Sequence, residues 1–113
     1  MVGGQEHSVI VDAWRVRESR YETQAVEGLF ALLDLLVDDE GFVEGQVFAA
    51  PDGTLVCYGV MRSVAERQRV EERPDVRKVL RSLHAIAHSQ RHTLKTLRVV
   101  RPEPAAGDSM PRD

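Results

Sequence analysis

The segment from Leu55 to Met61 constrains the fold more strongly than any other part of the sequence. Its residues, LVCYGVM, are apolar at odd and even positions alike. Because successive side chains of a strand point to opposite faces of a sheet, this strand needs cover on both faces. Helices can cover one face, but the chain has no elements to spare for the second. We therefore expect a homodimer in which a second subunit covers that face.

Two more strands are predicted around this segment. Residues 51–53, Pro-Asp-Gly, are typical of a turn and separate Leu55–Arg62 from the strand-like run Phe42–Ala49. These two runs should pair as an antiparallel hairpin. Ser8–Val16 is rich in β-branched and aromatic residues without helical spacing, and it predicts the first strand.

A helix is predicted between the first strand and the hairpin. Ser19 followed by Glu22 has the spacing of a capping box. Acidic residues and a glycine at 38–41 should end the helix, because its dipole disfavours negative charge there. Apolar residues repeat at three and four positions, as one buried face requires: Val26, Leu29, Phe30, Leu33, Leu36 and Val37.

Two helices and a last strand are predicted after the hairpin. Ser63 and Glu66 repeat the capping-box spacing, and Pro74 should end the short polar helix that they open. Asp75 should cap a third helix, and Leu94–Val100 reads as the last strand. The resulting order is the ferredoxin-like βαββαβ arrangement, an α+β fold with a four-stranded antiparallel sheet. The apolar face of the third helix is Val76, Val79, Leu80, Leu83 and Ala87.

Length and composition predict a single domain. We expect a flexible N-terminus at 1–7, one domain at 8–101 and a disordered, proline-containing tail at 102–113. No stretch approaches the ~18 consecutive apolar residues of a spanning helix, so we expect a cytoplasmic protein without membrane contact. Cys57 is the single cysteine, which excludes an internal disulfide and a thiolate metal site.

The charge distribution keeps a nucleic-acid partner open as a remote alternative. Residues 1–61 carry 3 basic and 11 acidic side chains, whereas residues 62–101 carry 11 basic and 4 acidic ones. A basic half can bind nucleic acid, and the RNA-recognition module has the same element order. That module displays aromatic residues on its central strands, and here the third strand has only Tyr58. Solvated arginines on the outer faces of amphipathic helices are the preferred explanation of the charge.

Short stretches of this sequence carry a family resemblance over Ser8 to Arg101. They are Glu40-Gly41-Phe42, Asp52-Gly53-Thr54-Leu55-Val56, Ser63, Pro74-Asp75-Val76 and Leu97-Arg98-Val99-Val100. Together they resemble the antibiotic biosynthesis monooxygenase family. The resemblance implies a dimeric α+β barrel and, as in many members, oxidation of an anthrone-type aromatic polyketide to a quinone. It also implies that no metal, flavin or other cofactor is needed, because a deprotonated substrate reduces molecular oxygen directly.

The third strand departs from the family pattern at two positions. Tyr58 stands where the oxygenases carry an Asn, and Arg62 stands where they carry a Trp. Tyr58, Val60 and Arg62 share one strand face by period two, so they could contact one ligand together. Tyr58 could donate to an enolate oxygen, and Arg62 could favour a phenolate. These departures also leave open a polyketide cyclase or a polyketide-binding protein without oxygenase activity.

Further candidate residues come from the helices and the first strand. His84 and His92 are candidate general bases, because imidazole has a suitable pKa. With His88 they recur every four residues, but the helix pattern ends near His88 and no fourth ligand is evident, so no metal site is predicted. Cys57 is expected as a small buried residue on the dimer face. Candidate substrate-binding residues are Trp14, which could instead fill the core, Phe30, Leu33, Val60, Leu83 and His88.

Overall fold

Four antiparallel strands form one sheet, and the apolar Leu55–Met61 strand lies inside it. The computed structural model describes residues 6–98 and 100–102. Its strands are β1 (Ser8–Val16), β2 (Phe42–Ala49), β3 (Leu55–Met61) and β4 (Ala87–Leu94), in the spatial order β2-β3-β1-β4. With helices between β1 and β2 and between β3 and β4, this is the predicted ferredoxin-like α+β fold.

The β2–β3 hairpin forms at the predicted turn. Gly53 has a φ of 90°, a conformation that favours glycine, and the Asp52 carboxylate accepts a hydrogen bond of 2.9 Å from the backbone N–H of Thr54. Phe48 lies opposite Val56 across the hairpin, and Val47 lies opposite Cys57. The turn and the strand pairing therefore agree with the hairpin predicted from the sequence.

Helix α1 (Glu22–Val37) packs on the sheet with a face that differs in part from the predicted one. Its buried residues are Ala25, Leu29 and Leu32. Phe30 is 54% exposed, because it lies about 100° around the helix from Leu29 and points away from the sheet. The prediction of Phe30 on the buried face was wrong. The Ser19 capping box was also wrong, since a short 3-10 turn at Ser19–Tyr21 precedes the helix without a side-chain cap.

Helices α2 (Val64–Glu71) and α3 (Pro74–Ile86) follow the hairpin. The Ser63 hydroxyl accepts a hydrogen bond of 3.1 Å from the N–H of Glu66, which confirms this cap. Arg73, not Asp75, is the N-cap of α3, and Pro74 occupies its first turn. Within residues 6–98 and 100–102, no helix has the length and apolarity required to cross a bilayer.

The last strand lies earlier in the chain than the sequence predicts. It spans Ala87–Leu94 rather than Leu94–Val100, and it pairs with β1 at the edge of the sheet. Its burial pattern has one buried residue, Ala87, followed by exposed positions. The segment therefore lacks the apolar alternation by which strands are recognised, and only its pairing with β1 makes it a strand.

The two faces of the sheet have different surroundings. On the helix face, Trp14 and Cys57 pack with α1 and α3 residues such as Leu29 and Leu83. Cys57 was expected on the opposite face, and the pairing register corrects this, because Cys57 lies beside the inward-facing Asp12. The other face, which we call the open face, carries no helix among the described residues. Its side chains include Val9, Val11, Ala13, Phe48, Val56, Tyr58, Val60, His88, Gln90, His92 and Leu94.

Candidate functional site

A small cavity lies between the sheet and the three helices. Its volume is about 70 Å³, and its walls are mainly apolar. Asp12 and Arg91 close one end, and we call the space the Asp12 cavity. Gly59 of β3 also lines the cavity. Apolar side chains from both layers form the walls: Leu32, Leu33, Leu36, Met61, Val70 and Val76.

Asp12 and Arg91 form the polar end of the Asp12 cavity. They lie directly opposite each other on β1 and β4, and both point to the helix face. The Arg91 guanidinium donates through Nε to Asp12 Oδ1 at 2.9 Å and through Nη2 to Oδ2 at 3.0 Å. Asp12 is only 9% exposed, so its carboxylate is largely shielded from water, whereas the Arg91 side chain is 38% exposed. The hydrogen bonds to Asp12 raise the pKa of Arg91 above its ordinary value.

Helix α2 extends this pair into a chain of charges. Glu71 Oε2 lies 2.7 Å from Arg91 Nη1, and Glu71 Oε1 accepts a hydrogen bond of 3.2 Å from Arg67 Nη1. Arg67 also donates through Nε to the Ser8 hydroxyl at 2.9 Å. The two guanidinium groups and two carboxylates balance in charge. Together these contacts fix the orientation of the Arg91 side chain and connect α2 to the sheet.

Cys57 lines the same cavity but is not activated. Burial is the main cause that raises the pKa of its thiol to about 11, and the nearby Asp12 carboxylate raises it further. A thiol with this pKa is protonated at neutral pH and is a poor nucleophile. Cys57 therefore acts as part of the apolar wall.

The arrangement at Asp12 suits proton transfer and the binding of an anion. An ionised carboxylate has about four lone-pair positions, and Arg91 occupies two of those on Asp12. A remaining lone pair can accept a proton from an acidic ligand. The positive charges of Arg91 and Arg67 can stabilise the anion that results, and the apolar walls strengthen this effect by excluding water.

The structure separates the predicted histidines. His84 is on α3, where its ring lies 4.9 Å from the Trp14 ring, whereas His88 and His92 are on the open face of β4. Arg17 Nη1 lies 2.8 Å from His88 Nε2 and donates to it. Among the described residues, no three or more His, Cys, Asp or Glu side chains are arranged to hold a metal ion. The regular spacing of the histidines fails to bring them together because α3 ends at Ile86.

Of the predicted substrate-binding residues, Leu33 lines the Asp12 cavity. Trp14 and Leu83 are in the core, at 2% and 1% exposure, and the indole N–H of Trp14 has no partner among the described residues. Phe30 faces outward from α1. Val60 lies on the open face, across from Val9 on β1.

The two candidates on the third strand lie away from this cavity. Tyr58 is on the open face, where burial and the Glu44 carboxylate raise the pKa of its hydroxyl. Tyr58 and His92 flank Val11 from opposite sides, so these two predicted residues share one row of the sheet. Arg62 is exposed just beyond the end of β3. The period of two that groups Tyr58 with Arg62 does not determine which face of the sheet the helices cover.

The charged residues of the Asp12 cavity were missed in the sequence. Asp12 is an acid within the apolar run VIVDAW, at the same parity as the inward-facing Ile10 and Trp14. That pattern is a usable signal, because an acid at a buried strand position requires a partner. Arg91 and Glu71 carry no comparable signal, since their proximity to Asp12 depends on strand pairing and on the docking of α2.

Comparison with known proteins finds solved structures that share this fold. The sequence matches no protein-family model and no curated protein. SnoaB, a cofactor-independent oxygenase from Streptomyces nogalater, superimposes with a TM-score of 0.77 at 13% identity, over 86% of this chain and 99% of SnoaB. A candidate antibiotic biosynthesis monooxygenase from Deinococcus radiodurans gives 0.71 at 9% identity, over 83% and 97% of the two chains.

A third structure with this fold has no established function. It is a conserved protein from Bacteroides thetaiotaomicron, a possible oxidoreductase, with a TM-score of 0.76 at 11% identity over 80% of this chain and 97% of the other. The identities are low, so the likeness shows the fold. This chain has the ferredoxin-like fold of SnoaB, as the resemblance in its sequence implied.

Proposed function

We propose that this protein is a cofactor-independent oxygenase that converts a phenolic or anthrone-type aromatic polyketide to a quinone. The observation that carries the proposal is an apolar cavity with the Asp12–Arg91 pair at one end. The fold of SnoaB supports it, because that protein is a cofactor-independent oxygenase. Molecular oxygen is the co-substrate.

The proposed reaction needs a base, a cation and a dry cavity. Asp12 accepts a proton from the activated methylene group, and the charge of Arg91 stabilises the resulting enolate. The enolate carbon transfers electrons to oxygen and forms a carbon–oxygen bond, which gives a hydroperoxide. Asp12 returns this proton to the peroxide and then takes the second proton from the same carbon. As the oxygen–oxygen bond breaks, the carbonyl group forms, and the departing hydroxide takes that proton from Asp12 and leaves as water. A methylene group and one oxygen molecule thus become a carbonyl group and one water.

Ligand binding requires the Asp12 cavity to widen. Its 70 Å³ is smaller than the ~150 Å³ of an engineered apolar cavity that accepts benzene. Helix α2 is the wall with the smallest apolar anchor, because Val70 is its one buried residue. We propose that α2 moves outward when the substrate binds, while Glu71 and Arg67 pair with the ligand or with each other.

We also propose that the protein is a homodimer whose subunits meet through their open faces. Phe48 and Leu94 lie on this face and are 49% and 46% exposed, whereas Val56 and Val11 between them are half-buried. A second copy would remove these apolar side chains from water at roughly 25 cal/mol per Å². Sedimentation equilibrium measures the association state directly, and a monomer at high concentration would contradict this part of the proposal.

The alternative is a polyketide cyclase or a polyketide-binding protein that uses the same cavity. A base beside a fixed positive charge, such as Asp12 beside Arg91, can catalyse carbon–carbon bond formation without oxygen. Tyr58 and Arg62, which replace the Asn and Trp of the oxygenases, favour this alternative.

Oxygen uptake distinguishes the two functions. The purified protein is mixed with dithranol, a dihydroxyanthrone, in buffer that contains a chelator and no flavin, and dissolved oxygen is recorded. An oxygenase consumes oxygen and forms the quinone above the background rate of autoxidation. Binding of the corresponding quinone, danthron, without oxygen uptake would support a cyclase or a binding protein instead.

A further inference from the structure

Gly59 occupies the centre of the sheet without a local reason for being glycine. It lies between Ile10 on β1 and Gly45 on β2, and its missing side chain would point to the helix face. A Cβ built at Gly59 meets no atom within 4 Å. Gly53 is the one glycine with a positive φ in the described part of the chain, so the backbone at Gly59 suits any residue.

Other glycines in the fold have packing reasons that Gly59 lacks. A Cβ at Gly28 would lie 2.7 Å from Leu83 Cδ2, and one at Gly45 would lie 2.9 Å from Leu33 Cδ2. Glycine weakens a strand interior, because it loses more conformational freedom on folding and provides no side chain to pack. The open space at Gly59 belongs to the Asp12 cavity, which Gly59 lines. Such a glycine is typical of a place where a ligand approaches the backbone closely.

We propose that Gly59 determines the size and shape of the substrate. A planar ring lies on the bare backbone of Gly59, with its acidic hydroxyl or methylene edge toward Asp12 and Arg91. The opposite edge of the ring points to the apolar side chains of α1 and α3. The ligand is therefore a flat phenol or an enolisable aromatic ketone. This inference rests on the proposed function only in using the same cavity, since it concerns binding and not oxygen chemistry.

Graded substitution of Gly59 tests the inference, with danthron and 1-naphthol as probes for calorimetric titration. Wild-type protein should bind at least one probe. Gly59→Ala should weaken binding, and Gly59→Val should weaken it at least ~10-fold, because its methyl groups occupy the space of the ring. The melting temperature of ligand-free Gly59→Val should equal or exceed that of the wild type, because a Cβ at Gly59 meets no atom within 4 Å and the added methyl groups extend into the cavity. Ala49→Val adds two methyl groups at an exposed position of β2 and should leave binding unchanged.

The results of these experiments test the inference about Gly59 and the proposed function separately. If Gly59→Val binds the probes like the wild type, or if the wild type binds neither probe, Gly59 does not set the ligand size. A lowered melting temperature of Gly59→Val would show that the space is not free and would also overturn the inference. Loss of binding in Gly59→Val without any oxygen uptake by the wild type would sustain the inference and refute the oxygenase. If Gly59→Val consumes oxygen at the wild-type rate, that result would support the oxygenase and refute the inference about Gly59.

Discussion

Asp12 on β1 and Arg91 on β4 are joined by two hydrogen bonds, of 2.9 and 3.0 Å, at the end of an apolar cavity. The residues are 79 positions apart in the sequence, and the antiparallel register brings them face to face. A carboxylate and a guanidinium in this position can remove a proton from a ligand and hold the anion that forms.

Replacement of Asp12 by asparagine should remove the proposed base while keeping the shape of the side chain. We expect the rate of oxygen uptake with dithranol to fall by ~10²-fold or more, within the range for a positioned acid–base group. Asp34→Asn changes an exposed carboxylate on α1 and serves as the matched control. Circular dichroism verifies that both variants fold. An Asp12→Asn enzyme with an unchanged rate would exclude Asp12 as the base.

Variants of Tyr58 and Arg62 test which face of the sheet carries the reaction. The sequence predicts a catalytic role for both residues, whereas the cavity that contains Asp12 lies on the opposite face from Tyr58. If the reaction takes place in the Asp12 cavity, Tyr58→Phe and Arg62→Ala should each change the uptake rate by less than about threefold, far below the loss for a catalytic acid–base group. A ~10²-fold loss in either variant would instead place the reaction on the open face.

A charge at Phe48 should dissociate the proposed dimer. Phe48→Asp places a carboxylate in the apolar interface, where its desolvation is unfavourable. We expect sedimentation equilibrium to show a dissociation constant raised by at least ~100-fold, which corresponds to roughly 2.7 kcal/mol. Phe30→Asp is a close control, because Phe30 is 54% exposed on α1 and Phe48 is 49% exposed on β2. Equal association of both variants would contradict an interface through the open face.

Asp39 should make the stability of the helical layer depend on acidic pH. Its carboxylate accepts hydrogen bonds from Arg69 at 2.6 Å, Arg73 at 3.0 Å and the N–H of Gly41 at 2.9 Å, and this joins the end of α1 to α2 and α3. These contacts, foremost that with Arg69, hold the pKa of Asp39 below its ordinary value of 3.8, although burial opposes the shift.

The sign of the effect follows from that lowered pKa. Asp39 stabilises the fold fully above the ordinary carboxylate pKa, and its contribution disappears as the pH falls through the lower pKa of the folded state. Urea unfolding should therefore show Asp39→Asn less stable than the wild type at neutral pH, with the difference shrinking below about pH 4. If the two proteins differ in their free energy of unfolding by the same amount at neutral pH and below about pH 4, the charge of Asp39 does not contribute to stability.

The sequence determined the elements whose own residues define them. The apolar strands β1 and β3, the Pro-Asp-Gly turn and the Ser63 cap follow from local chemistry, and each lies where the pattern predicts it. The correctly predicted elements give the order of strands and helices, and that order gives the ferredoxin-like fold. Local patterns were less informative where an element is stabilised by its neighbours, as at the polar edge strand β4.

Only the tertiary structure decided which face of the sheet the helices cover. Period two groups Tyr58 with Val60 and Cys57 with Gly59, but it is symmetric, so it cannot assign either group to the cavity. The docking of α1 and α3 resolves that symmetry and places Gly59 at the cavity and Tyr58 on the open face. The tertiary structure also brings Asp12, Arg91 and Glu71 together. Their proximity depends on strand register and helix packing over long distances in the chain, and no single stretch of residues encodes it.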